Sequence, residues 1–158
     1  SIATNQLDFI SGTRFGLEFT NEKGERETPV IIHRAIMGSF DRFFAFYLEH
    51  TAGNFPLWLS PVQAVIVPIS DRHLDYAHKV AAEMRKNKLR VEIDDRPERM
   101  NAKIRDAELQ KIPLVLVVGD KEEGAEAVNL RERHVKEQRT LGVAELIGEM
   151  KARVEARR

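Results

Sequence analysis

The spacing of apolar residues changes character near residue 60. Along 61–158, short apolar runs alternate with stretches whose apolar residues recur every three or four positions, the signature of strands and amphipathic helices in turn. "VQAVIVPI" (62–69) predicts a strand. Ser70 then stands where it would cap a helix with Leu74, Ala77, Ala81 and Met84 along one face. "LRVEID" (89–94) predicts the next strand, and a helix near 98–111 turns Met100, Ile104 and Ala107 inward and stops ahead of Pro113. "PLVLVVG" (113–119) is unbroken and apolar, as in a strand covered on both faces. "EAVNLRER" (126–133) alternates, and a last helix repeats Val143, Leu146, Ile147, Met150 and Val154. Its basic tail, "KARVEARR", suits the negative end of a helix dipole. This alternation predicts a compact α/β domain able to fold alone.

Residues 1–60 follow another pattern. "NQLDFI" (5–10) alternates like a strand, and a turn-rich passage follows with Asn21-Glu22-Lys23-Gly24 as a hairpin tip. An apolar strand over 30–37 ends at Gly38-Ser39, where Ser39 can cap a helix running to about His50, with Gly53 as its left-handed terminator. That helix carries Phe40, Phe43, Phe44 and Phe46 and reads as buried. So few elements cannot cover four phenylalanines, so this piece reads as part of a larger antiparallel sheet. "PLWLSPVQ" (56–63) joins the two pieces, giving expected domains of 1–60 and 61–158.

Composition adds mostly exclusions. Of 158 residues, 42% are hydrophobic and 32% charged, which fits a globular chain rather than a disordered one. There is no cysteine, so disulfides and thiolate metal cages are ruled out. No apolar run approaches the roughly 20 residues of a membrane span, and "SIATNQLDFI" lacks the order of a secretory leader. A soluble protein of the cytoplasm or an organelle, with no membrane partner, is expected. Lys plus Arg equals Asp plus Glu at 25 each. A nucleic acid would therefore have to be met by a local cluster, not by bulk charge.

Two charged residues sit oddly in the apolar stretch "VIIHRAIMGSFDRFF" (30–44). Arg42 falls one turn inside the helix start, where free backbone N–H groups favour anions. It suits a phosphate or carboxylate ligand, an internal ion pair with Asp41 or Glu49, or a place at the exposed edge of the helix. His33 suits a hydrogen-bonded core position in its strand or a metal whose other ligands lie elsewhere. In the second piece Arg96, Arg99, Lys103 and Arg105 surround a helix start, Glu122 follows the buried strand, and Arg131 and Arg133 follow on the next. They form either a solvated face or a site at strand ends, where α/β sheets bind ligands. A carboxylate beside guanidiniums can read guanine, accepting from N1–H and N2–H while donors meet O6 and N7. "VVGDKE" (117–122) has one glycine and is no phosphate loop, and the chain shows neither a nucleophile–His–acid set nor a Walker motif.

"PVIIHRAIMGSFDRFFAFYLEH", "FPLWLSPVQ" and "DDRPERMNAKIRDAELQKIPLVLVVGDKE…VNLRER" together resemble the C-terminal third of the threonyl-tRNA synthetase family, class II aminoacyl-tRNA synthetases. The likeness runs over essentially the whole chain. "GSFDRFF" resembles class II motif 3, and "IHRA" ahead of it is similar to the threonyl members. The fold implied is α/β. It comprises an anticodon-binding domain with a mixed sheet flanked by helices, preceded by a partial antiparallel α+β segment of the catalytic domain.

The resemblance implies roles residue by residue. Arg42 matches the motif 3 arginine that grips the ATP γ-phosphate. His33 matches the last of three zinc ligands, in a site that selects threonine's hydroxyl. Thr4 and Gln6 match the strand lining the substrate pocket, with Ser39 in the turn beside it. Arg99, Arg105, Glu122 and Arg131 match the anticodon site, with Glu122 and Arg131 assigned to the central guanine. The family's cofactors are zinc and magnesium with ATP, its substrates threonine and ATP, its partners the anticodon of threonine tRNA and a second copy in a homodimer. The chain departs at "Ala3-Thr4-Asn5-Gln6", where Gly-Thr-Ile-Gln is usual, at Asp41 for glutamate, and at Pro97, where a polar base-reading residue can stand. Motifs 1 and 2 and the other two zinc ligands have no match here. The expectation is therefore a catalytically incomplete piece of a threonine–tRNA ligase that holds no cofactor by itself. A stand-alone RNA-binding accessory protein is the alternative.

Overall fold

The computed structural model describes residues 3–157. Arg158, the end of the expected basic tail, lies outside them. The chain divides into two compact units, Ser1–Ala52 and Gly53–Arg158.

In the first unit β1 (Thr4–Asp8) pairs antiparallel with β4 (Ile31–Ala35), with Gln6 opposite His33. Between them lie a one-turn helix, α1 (Ser11–Arg14), and a hairpin of β2 (Phe19–Thr20) and β3 (Arg26–Glu27). Asn21 turns that hairpin as expected: its Oδ1 accepts the N–H groups of Lys23 and Glu25 at 2.9 Å each, and Gly24 takes φ +81. Helix α2 (Phe40–Thr51) starts at the predicted cap, the Ser39 hydroxyl accepting the Arg42 N–H at 3.2 Å. It ends at Ala52, left-handed at φ +49, one residue before the expected Gly53, which follows at φ +75.

One expectation fails here. No residue of α2 is buried, and Phe40 is 80% exposed. Along the helix, rings pair as Phe40–Phe44 and Phe43–Tyr47, with centroids 6.2 and 6.0 Å apart. Arg42 is exposed rather than sunk among aromatics. Periodicity assigns a helix its apolar face, but burial needs a second layer over that face.

The second unit has that layer. Its sheet runs β6 (Val91–Ile93), β5 (Ala64–Pro68), β7 (Leu114–Val118), β8 (Ala127–Glu132), β9 (Gln138–Gly142). The first three strands are parallel and the last two pairings antiparallel, which is the mixed sheet expected. Side chains alternate across the strands. Ala64, Ile66, Leu114, Leu116, Val118, Val128 and Leu130 pack with α3 (Leu74–Lys86) and α6 (Val143–Glu155) on one face. Val65, Val67, Val115 and Val117 pack with Ile104 and Ala107 of α4 (Met100–Leu109) on the other.

This unit also absorbs the joint between the pieces. Phe55, Leu57 and Ser60 are buried, and the Gln63 amide donates to the Leu57 carbonyl at 2.9 Å. Three local details differ from expectation. Ser70 makes no side-chain cap, because a 3-10 turn at Asp71–His73 precedes α3. A one-turn helix, α5 (Asp120–Gly124), and strand β9 are additional.

Candidate nucleic-acid interface

The ends of the parallel strands, with the loop 94–99 and the starts of α4 and α5, form an edge built largely of charged residues. The loop is internally tied. Arg96 donates to the Asp94 carboxylate at 2.9 and 2.7 Å and to Asp106 at 2.9 Å, while buried Lys103 donates to the Asp94 carbonyl at 2.9 Å. The hydrogen bond from Arg96 is the main reason the Asp94 carboxyl lies below the usual carboxylate range. Arg96 and Lys103 thus serve as struts. Arg99 and Arg105 are exposed and have no ion-pair partner among the described residues. Arg99 is the extended N-cap residue of α4, while Arg105 lies within the helix.

Glu122 lies on α5, just past the end of β7. Gly119, between strand and helix, is the floor beneath it. A methyl group there would stand 3.2 Å from the Glu122 carboxylate and 2.5 Å from the Ile69 Cδ1. By strand alternation Gly119 faces the same side as Val117, so the Glu122 carboxylate belongs to the α4 side of the sheet. Arg131 is on that side too, opposite Val115 on β7. Val115 is three residues short of the strand end at Val118, about 10 Å of strand. The structure does not join Glu122 and Arg131 in an ion pair among the described residues. The Arg131 Nε is shut from solvent and has no hydrogen-bond partner among those residues.

Strand β9 extends this face beyond what the pattern predicted. Its register sets Thr140 beside Asn129 and Gln138 beside Arg131 on one surface. Arg131 and Gln138 also line a groove of about 600 Å³ with Lys111, His134 and Lys136. Gln138 and Thr140 were missed because β9 has too few apolar positions to mark it as a strand.

In the first unit, the β1–β4 ladder sets Thr4, Gln6, Asp8 and His33 on one face, since residues directly opposite in an antiparallel pair point the same way. The His33 Nε2 lies 2.9 Å from Asp8 Oδ2, so His33 is hydrogen-bonded as expected but exposed rather than in a core, because no second layer covers the β1–β4 ribbon among the described residues. Asp8 also accepts the Ser11 N–H at 2.8 Å. The Ser11 hydroxyl and N–H foremost, then His33, hold its carboxyl well below the usual range. No group of three or more His, Asp or Glu among the described residues is placed to hold a metal. His33 and Asp8 offer two donors where a zinc site takes at least three from protein, so the residues present do not make one. Ser39 and Arg42 share the first turn of α2.

Residues 63–153 match the family described as "Anticodon binding domain". Over 158 residues the chain is 49% identical to a threonine–tRNA ligase of Rubrobacter xylanophilus, covering 99% of this chain and 25% of that protein. It is 53% identical over 147 residues to the threonine–tRNA ligase of Acidobacterium capsulatum, covering 93% of this chain and 22% of the relative. The chain thus spans about a quarter of these curated relatives, less than the third expected. Among solved structures, the RNA binding domain of threonyl-tRNA synthetase from Cryptosporidium parvum matches at 38% identity and TM-score 0.80, covering 95% of this chain and 38% of that one. A prolyl-tRNA synthetase from the same organism shares the fold at 24% identity and TM-score 0.74, covering 99% of this chain and 34% of its own.

Proposed function

The chain belongs to the anticodon binding domain family through residues 63–153, and from that membership we propose that 53–158 reads the anticodon of threonine tRNA. In the same proposal, 1–52 is the last, motif 3 portion of a class II catalytic domain, and the whole protein is a threonine–tRNA ligase. Such a ligase activates threonine with ATP and esterifies the tRNA 3′ end. Arg42 would meet ATP phosphate from the first turn of α2, where helix N–H groups and guanidinium favour the same charge. Thr4, Gln6 and Ser39 would line the amino-acid pocket, and Thr4 and Gln6 share their strand face with His33. His33 would contribute one of several zinc ligands, the rest supplied from outside these residues. Zinc, magnesium, ATP, threonine and a homodimeric partner all belong to that whole-protein reading.

The observation that carries the RNA reading is the polar β8–β9 surface, on which Arg131 and Asn129 lie beside Gln138 and Thr140. The Arg131 Nε has no hydrogen-bond partner among the described residues, so no internal acceptor holds that nitrogen, and a base edge would meet the outer nitrogens of the guanidinium. Glu122 would accept from the Watson–Crick edge of the central guanine while Arg131 donates to O6 and N7. A purine bonded at both edges suits two side chains set apart along one face. Arg99 and Arg105 would hold flanking nucleotides or phosphates. The test is titration of threonine-tRNA anticodon stem-loops carrying guanine or adenine at the middle position. Glu122→Ala and Arg131→Ala are each expected to lose about 1–3 kcal/mol of discrimination. Equal weakening for both loops would refute base reading and leave only charge attraction.

A further inference from the structure

The start of α3 is fastened to the α5–β8 turn by side chains that recur at helical spacing. Arg72 donates to the Asp120 carboxylate. The His73 Nδ1 lies 2.9 Å from Glu123 Oε2. The Tyr76 hydroxyl donates to the Ala127 carbonyl at 2.8 Å, and the Lys79 Nζ to Glu126 at 3.0 Å. Helix α5 needs such help. It is five residues long, none of them buried, and its N-cap Gly119 offers no side chain. One turn of helix does not sustain itself in water.

The four links are unequal. Arg72–Asp120 and Lys79–Glu126 are solvent-exposed ion pairs, a kind that contributes little. Tyr76 fixes the strand after α5 rather than the helix itself. His73 is different, because its side chain is only 2% exposed and its bond reaches the middle of α5. The Arg72 Nε donates to His73 Nε2 at 3.3 Å. That assigns the ring proton to Nδ1, which then donates to Glu123. Glu123 is the neighbour of Glu122, whose carboxylate hangs over Gly119.

We propose that His73 is a positioning residue for base discrimination: its bond to Glu123 holds α5 so that Glu122 presents its carboxylate at one fixed place on the sheet edge. This rests on the reading of Glu122 as a base-reading group. The experiment uses the full chain, with the two stem-loops above and amide hydrogen exchange across 120–124. His73→Leu should lower the preference for guanine over adenine and speed exchange at 120–124, each about tenfold, the effect of losing one shielded hydrogen bond. His73→Asn, whose amide N–H stands where Nδ1–H stood, should keep both.

A His73→Leu protein with unchanged preference and exchange would overturn the proposal. So would a His73→Asn protein that loses both while unfolding at the same urea midpoint as the parent. Should Glu122→Ala leave discrimination intact, the base reading itself falls and this role falls with it. Exchange at 120–124 then still decides whether His73 holds α5.

Discussion

The strand pairs β1–β4 and β5–β7 each run five residues in register, with Ile, Leu or Val at three of ten positions in the first and at eight of ten in the second. In the first, Leu7 and Ile32 are 61% and 63% exposed, while in the second every residue of both strands is buried. The second pair is the more apolar, but that alone does not explain the difference, since even Leu7 and Ile32 of the first pair stay largely in water. The β5–β7 pair has helices packed on each face, so both sets of alternating side chains leave water. The β1–β4 pair is a two-stranded ribbon, a form that is marginal without further strands or a helix. Burial is a property of layers, and only 53–157 contains a complete set.

The sharpest way to break this comparison is to cut the same kind of residue in each unit. Leu116→Ala, at a fully buried position in β7, is expected to cost about 3–4 kcal/mol. Phe40→Ala on α2 removes a larger side chain yet should cost less than about 1 kcal/mol, because that residue is 80% exposed in the folded chain. Urea unfolding followed by Trp58, the only tryptophan and part of the second unit, reads the first change directly. Far-ultraviolet circular dichroism reads the second. Equal losses would mean that the units are energetically one.

Alkali should distinguish the units next. Tyr76 is raised to about 12 from an ordinary 10, by burial first and then by Glu126. The folded state holds that proton more tightly than the unfolded one. Its contribution is complete below about pH 10 and is lost as pH rises through 12, on the order of 2 kcal/mol. In a Tyr47→Phe background Tyr76 is the only phenol, so its ionisation can be followed by absorbance against unfolding. Tyr76→Phe should remove the steep decline. The smallest effect belongs to the first unit, where Ser39→Ala removes the α2 cap at a cost of about 1 kcal/mol. Faster amide exchange at Arg42, whose N–H that hydroxyl holds, is the measurement.

What the pattern revealed and what it hid follow the same division. The long periodic elements of 61–158 stand where they were expected, because each has a core face that imposes spacing on the sequence. Helix α5 escaped because a single turn of Asp-Lys-Glu-Glu-Gly has no apolar period. Strand β9 escaped because Gln138, Arg139 and Thr140 are all exposed. Those two elements flank Glu122 and Arg131, so the shape of the candidate site was less legible than its residues. Ser70 has the chemistry of a cap but not its role, since a 3-10 turn takes up the start of the helix. His73 gave no signal at all. Its meaning depends on Glu123, fifty positions away.

Gly119 gives the edge an adjusting screw. A methyl group added there would press on the tip of Ile69 and on the Glu122 carboxylate, both free to swing, and on no neighbouring main chain. The backbone at φ −146 accepts any residue. Gly119→Ala should therefore leave the scaffold standing while nudging one acceptor by a few tenths of an ångström, separating the accuracy of a molecular reader from the sturdiness of its frame.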